Sequence, residues 1–140
     1  MVAALVDTSA LVKRVVPEAE SEAFTQWFDG ALADGIELLA SALAEVELAR
    51  VVRVRMPAVS VLELAPYVEA ALSGVDVVPL EPDVVELAQW LGPGTLRSLD
   101  ALHLATARVL NVDFLVTYDR HLADACAYVG LRVVTPRPAT

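Results

Sequence analysis

The chain has one cysteine, Cys126, in 140 residues, which excludes an intrachain disulfide and a cysteine-built metal site. Lysine is as scarce, with Lys13 the only one. No glycine-rich loop ending in Gly-Lys-Ser/Thr is present, so a P-loop nucleotide site is excluded. No uncharged apolar run approaches the roughly 18 residues needed to span a bilayer. The N-terminus lacks a basic segment leading into a signal-type apolar core. These absences predict a cytoplasmic protein with no membrane segment. Positive charge is also in deficit: ten basic residues against nineteen acidic ones give a net charge of −9. That is the opposite of the usual footprint of a nucleic-acid binder. Any contact with nucleic acid must rest on local arginines and on cations that offset the acid.

What is present is an apolar chain, 56 % hydrophobic by composition, of a length that suits one domain with a proper core. There is no repeat, low-complexity tract or linker. Residues 2–6 read as a buried strand ending at Asp7, followed by a helix that stops near Pro17. A second helix lies within residues 18–35, with Gly35 beyond its end, and residues 36–40 form a second strand. Ser41 is placed to cap a long helix running to about Arg55. Residues 57–74 are helical, with Pro66 expected to kink or divide the helix. "VDVVPL" is a third strand, residues 82–91 a helix, "GPGT" a loop and "SLDALHLATARVLN" a well-patterned helix. "DFLVTY" is a fourth strand, "RHLADACAYVG" a helix and "LRVVT" a last strand. This alternation predicts an α/β fold: a central parallel sheet flanked by helices on both faces, with the domain in residues 1–135 and a frayed tail at 136–140.

In such a sheet, ligands bind where loops gather beyond the carboxyl ends of the strands. Asp7 follows the first strand, Asp119 follows "FLVT", and Asp100 opens the helix after the glycine-rich loop. Each taken singly reads as a helix cap, worth roughly 0.5–2 kcal/mol. Taken together, three acids at one edge repel one another unless a cation neutralises them, and Thr8, Ser98 or Thr117 could have capped without that cost. A hard-cation site and simple capping both remain open from spacing alone. A fourth acid comes from "SALAEVELAR". Glu45 and Glu47 lie about 200° apart around a helix, so at most one faces a common site. Glu47 can instead pair with Arg50 on its own face.

Other residues carry plainer readings. His103 stands three after Asp100 and can approach the site edge, although a histidine on a helix face is usually structural. His121 and Cys126 lack metal-ligand spacing, and Trp27 and Trp90 read as core or interface anchors. Phosphotransfer receivers and haloacid-dehalogenase-like phosphatases also gather acids at this edge, but both need a late lysine. The phosphatase pattern further needs an aspartate where Ser9 stands.

The stretches "LVDTSALVK", "SALAEVELAR", "RSLDALHLATA" and "LVTYDRHLADA" occur in the order and at the spacing of the PIN-domain family. Over nearly its whole length the chain resembles VapC-type toxins of toxin–antitoxin operons, least clearly in residues 56–90. The resemblance implies a Mg²⁺- or Mn²⁺-dependent endoribonuclease with a quartet of acids. Carried over, these are Asp7, Glu47 (or, shifted by two, Glu45), Asp100 and Asp119. Asp7 and Asp100 are implied as direct metal ligands, with Glu47 and Asp119 at a second ion or behind metal-bound waters. Thr8, Ser9 and Thr117 match supporting hydroxyl positions. Arg14, Arg50 and Arg97 flank the acids and can contact RNA phosphate. The implied partners are RNA, a second copy of the chain, and a small cognate antitoxin that sends a basic residue into the acidic site. A housekeeping PIN-domain RNA-processing nuclease and, further off, a non-enzymatic metal- or protein-binding module are the alternatives.

Overall fold

Five short apolar runs form the strands β1 (Ala3–Val6), β2 (Glu37–Ser41), β3 (Asp76–Val78), β4 (Phe114–Val116) and β5 (Arg132–Val134) in a computed structural model that describes residues 1–139. They pair in the order β3-β2-β1-β4-β5, every neighbour parallel. The central strands are buried on both faces, which is why they read as unbroken apolar runs. Successive side chains of β1 serve opposite layers. Ala4 and Val6 join a core with Phe24, Phe28, Leu48 and Phe114. Leu5 lies in register with Leu39 and Leu115, in a second core that includes Leu104 and Leu122.

The helices are α1 (Thr8–Leu11), continued by a 3₁₀ turn at Val12–Arg14, then α2 (Ser21–Ala33), α3 (Leu43–Arg55), α4 (Val61–Leu72), α5 (Pro82–Ala88), α6 (Ser98–Val109) and α7 (Arg120–Tyr128). The first core is closed by residues of α1 to α4, the second by residues of α6 and α7. The expected parallel α/β architecture is therefore the one observed. Among the described residues no helix is long and apolar enough to cross a membrane.

Two local expectations are corrected. Pro66 does not divide its helix: α4 runs through it. The amide it lacks would have bonded the carbonyl of Leu62, and both residues are exposed, so water can satisfy that carbonyl. Ser41 is the buried last residue of β2, not the N-cap of α3, although its hydroxyl accepts a 3.2 Å bond from the Leu43 amide. Part of the segment read as a tail is tied down. The Pro136 carbonyl accepts a hydrogen bond from the Tyr118 hydroxyl at 2.6 Å, while Thr140 lies outside the described residues.

Lys13 is buried with only 7 % of its surface exposed. Its ammonium is satisfied by Glu18 at 3.2 Å and Glu20 at 3.0 Å, and lies 4.3 Å from the centre of the Tyr118 ring. A buried charge without such partners would cost several kcal/mol.

The strand order positions the site. The chain winds outward from β1 to β2 and β3, then returns with β4 on the other side of β1. The loops after β1 and β4 therefore part company, opening a crevice at their carboxyl ends.

Candidate active site

Asp7 occupies the crevice at its root. Its amide donates to the Val116 carbonyl at 3.1 Å, fastening the end of β1 to the end of β4. Its carboxylate caps α1 by accepting from the Ala10 amide at 3.1 Å, and also accepts from the Ser9 hydroxyl at 2.7 Å and the Thr117 hydroxyl at 2.5 Å. Burial nevertheless pushes its pKa above the ordinary carboxylate value, outweighing the hydroxyl hydrogen bonds and the His103 charge.

The two hydroxyls behind Asp7 are themselves held. Ser9 Oγ accepts from the Tyr118 amide at 2.9 Å and lies 3.3 Å from Thr117 Oγ1, which accepts from the Asp119 amide at 2.9 Å. Asp119 comes next as the cap of α7, its Oδ1 accepting from the Leu122 amide at 3.0 Å. Capping and cleft-lining are thus compatible for Asp7 and Asp119, since one carboxylate has more acceptor sites than a cap uses.

Glu47 comes from the middle of α3. Its Oε1 accepts from the Thr8 hydroxyl at 2.9 Å and meets His103 Nε2 at 2.5 Å, so Oε2 takes neither bond. Burial works to raise the Glu47 carboxyl, but the His103 hydrogen bond and charge, with the Thr8 hydroxyl, hold it below its usual range. The same contact acts on the histidine. Burial alone would lower the imidazole, and the hydrogen bond and charge of Glu47 raise it. Nδ1 of His103 is the one buried side-chain polar atom without a hydrogen-bond partner among the described residues.

Asp100 enters from the first turn of α6, half-buried. Burial raises its pKa first, the Asp119 and Glu47 charges raise it further, and His103 and Arg97 oppose them. Repulsion of this kind is what several carboxylates facing one space produce. Asp7, Glu47, Asp100 and Asp119 line a single cleft of about 230 Å³ with Thr8, Ser9 and His103.

Among the described residues no set of three or more His, Cys, Asp or Glu side chains forms a ready-made metal cage. The donor set nevertheless fits a hard cation that keeps several waters, because it consists of carboxylate oxygens lining one cleft, with the Asp119 and Glu47 charges bearing on Asp100.

Glu45 is not in this cleft; it borders a separate apolar groove between α3 and α4. Arg14 is not there either, which corrects its placement beside the acids. Its guanidinium donates to the Ala71 and Ser73 carbonyls at 2.9 and 2.6 Å and lies 3.9 Å from the Phe28 ring centre. It closes the C-terminal end of α4, a standard position for a cation. Arg50 is exposed on α3 and leaves Glu47 to His103, while Arg97 is exposed at the start of α6, its charge felt by Asp100. Trp27 packs on the core against Phe24 and Phe114, but Trp90 is 83 % exposed and is no core residue. Cys126 is buried and its thiol is pushed up to about 12 by burial. The residue undervalued from sequence is His103. Its place three after Asp100 on one helix face is the available signal.

A family model described as PIN domain matches residues 4–128. The chain is 39 % identical to Ribonuclease VapC47 of Mycobacterium tuberculosis, the match covering 93 % of this chain and 94 % of the relative. It is 40 % identical to Ribonuclease VapC35 of the same species, over 95 % of this chain and 96 % of that one. A chain of a toxin-antitoxin complex from Klebsiella pneumoniae has the same fold, with a TM-score of 0.65, 20 % identity, and coverage of 97 % of this chain and 99 % of its own.

Proposed function

The chain belongs to the PIN-domain family, among its VapC-type members, and from this premise we propose that it is a metal-dependent endoribonuclease, the toxin of a toxin–antitoxin pair acting in the cytoplasm. The single observation that carries the proposal is the convergence of Asp7, Glu47, Asp100 and Asp119, from four separate elements, on one cleft at the strand switch point. Asp7 and Asp100 would hold Mg²⁺ or Mn²⁺, with Glu47 and Asp119 completing a second site or holding its water shell. Such an ion, when bound, supplies charge neutralisation for a phosphodiester and a more acidic water.

The chain's own contribution is preorganisation. Ser9, Thr117 and the Ala10 amide fix the Asp7 carboxylate before any ligand arrives. Thr8 and His103 fix Glu47 through one oxygen and leave the other uncommitted. The Leu122 amide does the same for Asp119. Polar groups oriented in advance need no reorganisation at the moment of reaction. Arg97, at the N-terminal end of α6, is the arginine best placed to meet an RNA phosphate.

The acid excess and the apolar groove suit an antitoxin with two contacts. An amphipathic segment would lie in the groove of about 360 Å³ lined by Val52, Leu64 and Val68. A basic residue, most simply arginine, would enter the acidic cleft. The toxin–antitoxin assembly of the Klebsiella pneumoniae neighbour and the VapC type of the relatives support this reading. A second copy of the chain is expected as a further partner. The decisive experiment is RNA cleavage in Mg²⁺ or Mn²⁺ by the wild type, Asp7→Asn and Asp100→Asn. Cleavage by wild type alone is expected, and wild-type rates in both variants would overturn the site. Purification from the native operon should yield an inactive complex with a small companion. A fully active protein without one would leave a housekeeping nuclease.

A further inference from the structure

Thr117 has every polar group engaged. Its hydroxyl donates to Asp7 and accepts from the Asp119 amide, its own amide donates to the Val134 carbonyl at 3.3 Å, and its carbonyl accepts from the Thr135 hydroxyl at 2.8 Å. The next residue repeats the pattern. The Tyr118 amide donates to Ser9 in the cleft, whereas its side-chain hydroxyl donates away from the cleft to the Pro136 carbonyl at 2.6 Å. Burial pushes that phenol up to about 12, so it remains an O–H donor throughout the neutral range. Beyond it, Arg137 lies 3.8 Å from Glu20, the residue that also receives Lys13. The turn that carries Thr117 and Asp119 therefore has two sides, one facing the acids and one gripped by the chain beyond β5.

We propose that Thr135 and Pro136, with Tyr118 as their counterpart, form a positioning strap that sets the geometry of the Thr117–Asp119 turn and, through it, of Asp7 and Asp119. The proposal rests on the nuclease reading of the cleft and extends it to residues beyond 128, where the family match ends. The physical need is specific. Three-residue β4 leads directly into this turn, and β5, its neighbour on one side, is equally short. Backbone pairing over so short a strand leaves the adjoining turn weakly fixed, and a shift of about 1 Å in a positioned group can cost as much as 10²-fold in rate. Thr135, Tyr118 and Pro136 supply the two bonds that the sheet lacks. None of them touches the reacting atoms; they act through Thr117, Ser9 and Asp119.

The test uses the full chain and conservative changes. Tyr118→Phe removes only the hydroxyl, Thr135→Val replaces a hydroxyl by a methyl, and Thr135→Ser keeps the hydroxyl and loses the methyl. Cleavage of a mixed-sequence fluorophore–quencher RNA oligonucleotide in Mn²⁺ gives kcat and KM. Amide hydrogen exchange of metal-free protein reports Tyr118 and Asp119, whose N–H groups make the hydrogen bonds to Ser9 and Thr117. Tyr118→Phe and Thr135→Val should each lower kcat about 10-fold with KM unchanged, in line with other partners that hold a site's ligands. They should speed exchange at those two amides and leave the central strands protected, and Thr135→Ser should match wild type in both respects. Wild-type kcat and exchange in both variants would overturn the strap. So would faster exchange spread over the whole sheet, the sign of general destabilisation. If the wild type cleaves no RNA, the nuclease reading fails, and the local exchange pattern alone decides whether the strap holds the turn.

Discussion

Asp7 and Asp100 meet in one cleft and both have raised pKa values, yet their surroundings are opposites. Asp7 is buried and accepts hydrogen bonds from Ser9, Ala10 and Thr117. Asp100 is half-buried, and the influences on it are burial and the charges of Asp119, His103, Glu47 and Arg97, with no hydrogen bond among them. One carboxylate is held in place by donors; the other stands on its helix and responds to the charges around it. The difference shows how a site can combine a fixed reference point with an adjustable one, and it makes the two residues separable by experiment.

The largest expected effect is on chemistry, where the two should behave alike. Asp7→Asn and Asp100→Asn should each lower RNA cleavage by at least about 10²-fold, the scale on which a preorganised electrostatic contact is lost. Next comes the fixed flank of the cleft. Glu47→Gln should lower the rate about 10–100-fold and His103→Gln about 10-fold, whereas Glu45→Gln should leave it unchanged. Equal losses for the two glutamates would remove α3 from the site. A third measurement is thermal. Mn²⁺ at 100 times its Kd should stabilise the wild type by about 2.7 kcal/mol by mass action, and should do little for either aspartate variant.

The smallest effect separates the two aspartates. A carboxyl whose folded-state pKa is raised contributes stability that is fully present below its unfolded pKa and lost as pH rises through the folded value. In EDTA at neutral pH, Asp100→Asn escapes that loss and gives up no hydrogen bond, so its melting temperature should exceed the wild type's, by about 1–2 °C. Asp7→Asn escapes a similar loss but turns an amide toward hydroxyls that donate, so its gain should be smaller or reversed. Equal melting temperatures for the two variants would show that the contrast between them has no energetic weight.

The junctions at Asp7 and Asp119 are legible in the sequence because a strand-to-helix boundary fixes both a residue's place in the sheet and its capping geometry. Asp100 is legible as the acid at the start of a patterned helix. The choice between Glu45 and Glu47 is not. Periodicity gives the angle between two residues on a helix, but which face turns inward depends on packing against other elements. Arg14 illustrates the same limit, since its carbonyl partners at Ala71 and Ser73 lie far along the chain. The tail misleads for a related reason. "PRPAT" carries no pattern of its own, and the hydroxyl that holds Pro136 belongs to a distant residue, Tyr118. Trp90 reads as a core or interface anchor by residue type, and type alone does not reveal that it lies in the turn after α5, outside the core.

The enclosure of Lys13 has a practical consequence for labelling. It is the chain's only lysine, and its amine is enclosed by Glu18, Glu20 and the Tyr118 ring. An ammonium paired in this way is a poor nucleophile. Amine-reactive dyes, biotin esters and cross-linkers should therefore spare Lys13 in the native protein. Attachment at Lys13 would report that the corner between the 3₁₀ turn and α2 has come apart.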